Sequence, residues 1–381
     1  MRISNNIFRS DYKSRTEKSP SKLTHILATI LIFLSLAAPT AEATEIFAIY
    51  LNPNGSDTND GSTPQAAVKT LDRAEAILAA NDPITDVEIR IAQGLYIAPR
   101  TEWRYYIPNH SISFIPADYQ AGDGIDDIAG RPIFRSDGTL GYWFSARLPS
   151  NHPGGNTNLQ FRYLQIEGYS AGGLQLYGGV KTSENGIMVP STAGVNNNVV
   201  FGMSFYKLGS RHNWTTGAAG RGAINTWNSS NNLIKYNHFV RNENRDFEIG
   251  LVHGIYLAHH SNDNIISSNR FDTVSGDPIR TRNDSNNNDI YDNTFTLSGQ
   301  SAYYSEWFCD QGCVDSHPGQ ARECASHGNA FFDNYLESGY NGNPQSMWHL
   351  TPAGIDYAGG PGCDNQNQPR LNTSGNTRPP N

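Results

Sequence analysis

Apolar positions along the chain come in bursts of about three to five residues before Asn, Ser, Asp or Gly breaks the alternation. The bursts keep register with one another. Ile255 matches Ile279, Asn264 matches Asn288, Asn269 matches Asn293 and Phe271 matches Phe295, each pair 24 residues apart. The preceding segment joins with Ile224, Asn232, Asn237 and Phe239, and Asn329, Asn334 and Leu336 follow beyond a long insertion. Four copies of Asn-x-apolar-x-x-Asn-x-(Phe/Leu) predict a coil repeated along an axis, each rung burying its apolar residues only against its neighbours. Asn tolerates left-handed backbone and bonds nearby main chain, so Asn237, Asn269, Asn293 and Asn334 are expected to ladder through inward turns. Phe205, Phe239, Phe271 and Phe295 should stack inside. A period of 24 to 41 residues without helical pattern excludes tetratricopeptide and ankyrin arrays. It predicts an all-β chain folded as a right-handed parallel β-helix, a single-stranded solenoid.

Further strands are expected at Val87–Ile97, Ile112–Ile115, Pro132–Phe134, Leu159–Ile166, Gly173–Tyr177, Ile187–Val189 and Val199–Phe205. Pro64 marks a helix start, and Val68, Leu71, Ala74 and Leu78 share one face, so a helix near 64–80 should plug the first rung. The tail from Asn365 is rich in Asn, Gln, Pro and Thr and is expected to be disordered.

Six cations (Arg2, Arg9, Lys13, Arg15, Lys18, Lys22) precede an uncharged run from Ile26 to Ala38, and Ala41-Glu42-Ala43 offers small residues for cleavage. A membrane anchor needs roughly 18 apolar residues; this run has thirteen. The expected organisation is therefore a signal peptide over 1–43, a β-helix domain over 44–364 and a tail over 365–381. Cleavage removes six of 28 cations and three of 36 anions, so the net charge of −8 becomes −11. So acidic a chain is a poor nucleic-acid binder. It is expected to be secreted or periplasmic, monomeric, and free of stable membrane insertion. The count of 36 Gly suits many turns.

Tyr50-Leu-Asn-Pro-Asn-Gly-Ser-Asp-Thr-Asn-Asp-Gly-Ser-Thr-Pro64, followed by Val68-Lys-Thr-Leu71, closely resembles the entry segment of exported parallel β-helix proteins of the pectate-lyase-like superfamily. The resemblance implies a first strand and a Gly/Asp-rich loop leading into a capping helix. Pectate and alginate lyases, polygalacturonases, pectin methylesterases and alginate C5-epimerases belong there. The paired-Asp and Gly-His-Gly pattern of polygalacturonases is absent, as are the Gln and Asp signatures of pectin methylesterases. Asp277-Pro-Ile-Arg-Thr-Arg282 loosely resembles the Arg-rich strand of pectate lyases, and His253-Gly-Ile-Tyr-Leu257 the strands of epimerases.

Strand alternation selects the side chains that leave the coil. With Ile224, Ile255 and Ile279 inward, Asn225, Tyr256 and Arg280 point out, with Trp227, Ala258 and Arg282 in a parallel file. His253 and Asp277 sit at the near edge, His260 and Asp284 at the far edge. Elimination from a uronide needs a cation on the carboxylate, a base for the adjacent carbon-bound proton and an acid for the leaving oxygen. Arg280 and Arg282 are candidates for the clamp; Tyr256, His253, His260 and Lys235 for proton transfer; Asn225, Trp227, Asp277 and Asp284 for substrate binding. The bland alternative pairs both arginines with Asp277 and Asp284 as surface salt bridges. A glycoside hydrolase would use Asp277 with Asp246 or Glu248, and a non-catalytic sugar-binding β-helix is a third reading. Trp103, Tyr105, Tyr106, Tyr142 and Trp143 fit sugar stacking or burial under a loop.

Cys309, Cys313, Cys324 and Cys363 are expected to form two disulfides, with three pairings open. Zinc with His317 and His327 matches no common template. No cofactor is required. Asp57, Asn59 and Asp60 could bind calcium but read better as a solvated turn.

Overall fold

The computed structural model describes residues 46–139, 141–149, 155–212, 220–342, 346–357, 360, 362–363 and 368–380. The expected signal peptide lies outside them. Three parallel sheets run along one axis, of ten, eight and eight strands; eight rungs contribute one strand to each, and Phe47–Leu51 and Leu371–Ser374 extend the first alone. In one rung, Leu233–Lys235 lies in the first sheet, His238–Asn242 in the second and His253–Ala258 in the third, before Ile265–Ser267 returns to the first. The fold is a parallel β-helix.

The interior follows the register read from the sequence. Phe205, Phe239, Phe271 and Phe295 are directly paired across rungs. Their rings stack at 5.1, 4.7 and 4.8 Å within 9° of parallel, and Leu336 caps the file. Asn237, Asn269, Asn293, Asn334 and Asn376 form a ladder in which each Oδ1 accepts both the backbone N–H and the Nδ2 of the Asn one rung before, at 2.9–3.0 Å. A second ladder runs through Asn198, Asn232, Asn264, Asn288 and Asn329. Contrary to the expectation, the Asn residues of the first ladder are not left-handed. The residue before each Asn takes that conformation: Tyr236, Ser268, Asp292 and Asp333, at φ 52–58°. Asn is selected here because its amide offers a donor and an acceptor in line.

Three further expectations change. Ile187–Val189 is no rung: Met188–Pro190 pairs antiparallel with Val180–Thr182 as a hairpin arm. The tail is not disordered throughout, since Leu371–Ser374 pairs with Asn329–Phe332 and Asn376 closes the ladder. The anticipated helix is split into a short 3-10 turn, Pro64–Ala66, and an α-helix, Leu71–Asn81. Val68 lies between them, bridged to Leu51. Thr70 caps the α-helix by accepting from Arg73 N–H at 3.1 Å, and Leu71, Ala74, Ile77 and Leu78 enter the core. In the entry loop, Asp57 accepts from the Lys69 and Thr70 N–H groups and Asp60 from Ser62.

The disulfides are Cys309–Cys313 and Cys324–Cys363. His317 lies at the end of the short helix Gln311–Ser316, while His327 bonds the Gln368 carbonyl. No thiolate remains for zinc. No helix among the described residues is long and apolar enough to cross a membrane.

Candidate active site

The third sheet gathers most of the expected groups on its outward face. Direct pairing places Gln175, Asn225, Tyr256, Arg280, Ser305 and His349 in one file, and Arg147, Tyr177, Trp227, Ala258 and Arg282 in the next. The second file is aromatic and cationic. Arg147 lies 4.5 Å over the Tyr177 ring, Tyr177 packs on Trp227 at 5.4 Å, and Arg282 lies 4.5 Å over Trp307.

Both arginines are held by carboxylates, Arg280 by Asp277 as the salt-bridge alternative expects and Arg282 by a residue outside it. Arg280 donates through Nη2 to Asp277 Oδ2 at 3.1 Å and through Nε to Ser305 Oγ at 2.9 Å. Arg282 turns instead to Glu323, with Nε 2.9 and 2.8 Å from the two oxygens and Nη2 at 2.7 Å. Its Nη1 faces the Tyr256 hydroxyl at 3.4 Å. Burial would lower the Arg282 pKa, but Tyr256 and Glu323 outweigh it and raise it, so the guanidinium is a permanent cation.

Asp277 is a scaffold group rather than a free ligand. Its Oδ1 accepts the N–H groups of Ser301 and Ala302 at 2.8 and 3.0 Å, and its Oδ2 takes Arg280. Burial pushes its carboxyl up, yet Arg280 and the two amides outweigh this and hold it below the usual range. A hydrolase would need one protonated carboxyl, and Asp277 is a poor one.

The histidines also change role. His253 is fully buried, and its Nδ1 donates to the Asp277 carbonyl at 2.6 Å; burial and then Arg280 depress it to about 3, so it is neutral. His260 points its Nε2 at the Met188 carbonyl (3.0 Å) and its Nδ1 at Asp284 (3.0 Å), so the fold uses both nitrogens. His259 packs edge-on against Trp227 at 4.3 Å and accepts from Asn283.

Lys235 is misplaced by the sequence reading. It lies on the first sheet, between Phe201 and Ser267, over the Tyr236 ring. The aromatic group near the N-terminal end is largely core. Trp103 and Trp143 are buried against Phe114, Phe134 and Phe144. Tyr142 is buried as well, and its hydroxyl accepts from Asn225 Nδ2 at 2.6 Å; burial pushes its phenol up to about 12.

Glu323 and Trp307 escaped the sequence reading. Glu323 sits in an insertion with no repeat to assign it a face, and its one signal was adjacency to Cys324, where the insertion rejoins the coil. No group of three or more His, Cys, Asp or Glu among the described residues is placed to hold a metal ion.

No family model matches the chain. No curated protein matches it either. Among solved structures, a rhamnogalacturonan lyase is 15% identical, covering 76% of this chain and 68% of that one, with a TM-score of 0.50. A pectate lyase (11%, 82% and 77%, TM-score 0.29) and a periplasmic alginate epimerase (12%, 77% and 67%, TM-score 0.32) are also similar. The likeness to the first shows the fold alone: the chain is a parallel β-helix.

Proposed function

We propose that the outward face of the third sheet cleaves an acidic, uronic-acid-containing polysaccharide by β-elimination. One observation carries this reading: Tyr256, Arg280 and Arg282 stand on adjacent rungs, with the Tyr256 hydroxyl 3.4 Å from a guanidinium. Rungs lie roughly 4.8 Å apart, so all three groups reach one sugar unit. Arg280 and Arg282 polarise the substrate carboxylate through the Nη1 groups left by Asp277 and Glu323. The Tyr256 oxygen takes the proton from the adjacent carbon as its own hydroxyl proton passes to the glycosidic oxygen. The electron pair of the broken C–H bond forms the ring double bond, the glycosidic C–O bond breaks, and the leaving sugar departs with the proton from Tyr256. Trp227 offers an apolar face for a neighbouring sugar. The rhamnogalacturonan lyase likeness supports the architecture on which such chemistry is built, and no more.

We also read the coil as right-handed, helix Leu71–Asn81 as its cap, and the chain as exported. The test is incubation with alginate, pectate, glucuronan and hyaluronan. An ultraviolet-absorbing unsaturated product supports elimination. Inversion at the carbon bearing the carboxylate, without that product, marks an epimerase. New reducing ends without absorbance mark a hydrolase.

A further inference from the structure

The two arginines of the outward face are held by different means. Asp277, which holds Arg280, stands three residues before it on the same rung, so any chain that folds this rung supplies it. Glu323, which holds Arg282, lies 41 residues further along. It belongs to the insertion between the strands Ala302–Trp307 and Asn329–Phe332, not to a rung. A buried carboxylate on such an excursion needs something to carry it to its partner.

Both disulfides meet at this residue. Cys309 N–H donates to Glu323 Oε2 at 3.0 Å, and Glu323 N–H donates to the Cys309 carbonyl at 2.8 Å. Cys309 is bonded to Cys313 in the short helix Gln311–Ser316. The next residue, Cys324, is bonded to Cys363 and sits on the coil: its N–H donates to Asn283 Oδ1 at 3.0 Å, and its carbonyl accepts the Asp284 N–H at 3.1 Å. Glu323 is thus held between one cysteine of each disulfide, by a pair of hydrogen bonds on one side and a peptide bond on the other. Its side chain is 1% exposed. The backbone pairing of Arg322 with Ile187 joins the insertion to the hairpin Val180–Thr182/Met188–Pro190, another excursion, rather than to a rung.

Glu323 acts there by setting a direction. Its two oxygens take Nε and Nη2 of Arg282, which fixes the plane of the guanidinium and leaves Nη1 towards the Tyr256 hydroxyl at 3.4 Å. Released from Glu323, Arg282 keeps the Trp307 ring as a partner at 4.5 Å. A ring face attracts the charge but sets no direction for Nη1.

We propose that Glu323 is the positioning residue of Arg282 and that the two disulfides deliver it, so the outward face of the third sheet is assembled only in the oxidised chain. The inference rests on the reading of that face as catalytic. With all four cysteines as thiols, as in a reducing compartment, the coil and Arg280 stay in place while Arg282 loses its direction. Each closure forms one S–S bond and passes two protons and two electrons to an external disulfide, which becomes a dithiol. The face is then competent only where such closure has taken place.

The test reads Arg282 itself. In protein carrying isotopically labelled arginine, with both disulfides closed, the magnetic resonance signal of the Arg282 Nε–H is identified by its loss in Arg282→Lys, and its exchange with solvent is measured. Exchange should accelerate by at least about tenfold in Glu323→Gln, the worth of a hydrogen bond to a charged group. It should accelerate as much in Cys309→Ser/Cys313→Ser and in Cys324→Ser/Cys363→Ser. The Nε–H of Arg280, bonded to Ser305, is the internal control and should exchange at the parent rate. On a uronan that gives unsaturated product, Glu323→Gln should lower kcat by about tenfold with KM little changed. Arg282→Lys should then cost little more in that background, because the two residues act as one unit. If the Cys324/Cys363 variant unfolds, the Cys309/Cys313 variant, which opens the smaller loop, decides. An Arg282 signal that keeps the parent rate in Glu323→Gln or in a folded cysteine variant overturns the proposal. Equal acceleration at Arg280 also overturns it, because it marks general loosening. If no uronan gives unsaturated product, the elimination reading fails, and the exchange rates alone decide the positioning.

Discussion

Asn269→Ala removes one rung of the inner amide ladder, and its cost follows from the bonds it breaks. Asn269 is 1% exposed. Its Oδ1 accepts from the Asn237 N–H and Nδ2, each at 2.9 Å; its Nδ2 donates to the Ile234 carbonyl and to Asn293 Oδ1. Alanine leaves two donors without an acceptor and a carbonyl without its donor, in a coil interior with no route for water. A buried orphan costs about 1–3 kcal/mol, so two donors put the loss at about 3–5 kcal/mol. Asn376→Ala removes the same chemistry at the last, partly buried step, where water can substitute, and should cost about 1 kcal/mol. Urea unfolding of both variants measures the difference, and hydrogen exchange at the Asn237 amide reports whether opening is local to the rung. Equal, small losses would refute the ladder as a source of stability.

Other perturbations have equally definite outcomes. Replacing Cys324 and Cys363 by Ser opens a loop with a separation of 39 residues, and the chain-entropy relation puts the loss at about 4 kcal/mol. For Cys309–Cys313, at a separation of 4, the same relation gives about 2 kcal/mol; differential unfolding of the two double variants checks the ratio. Glu243 gives an acid-sensitive clasp. Burial would raise its carboxyl, but hydrogen bonds from His212 and Tyr340 and the charge of Arg211 pull it down to about 2. A depressed carboxylate stabilises the fold above its unfolded value near 4.5 and loses that contribution as pH falls towards 2. Glu243→Gln should therefore flatten the stability–pH curve across that window. Arg280→Ala should lower turnover by about a hundredfold and also lower the melting temperature, because it strips the cation from buried Asp277.

The coil was legible because the Asn and Phe registers repeat at fixed steps, and each repeat could be checked against another copy. Alternation also gave the outward files correctly within the third sheet. It could not say which of three sheets a short strand joins, and that placed Lys235 on the wrong one. Ile187–Val189 is too short for its pattern to separate a parallel rung from a hairpin arm. The tail looks disordered by composition, yet four residues and one Asn suffice to extend a sheet and ladder already formed. Glu323 was hidden for the complementary reason: the insertion is held by disulfides and backbone pairing, and neither leaves a period in the sequence. The burial of His253 and Asp277 depends on loops that arrive from elsewhere in the chain, so their roles shifted from chemistry to scaffold.

Tyr256→Phe is the most direct test of the catalytic face. It removes a single hydroxyl whose described contact is the 3.4 Å approach from Arg282, so the fold should hold. On the uronan cleaved best, kcat for unsaturated product should fall by at least about a hundredfold with KM little changed, as loss of a proton-transfer group requires. A kcat within twofold of the parent, at unchanged melting temperature, would contradict the account.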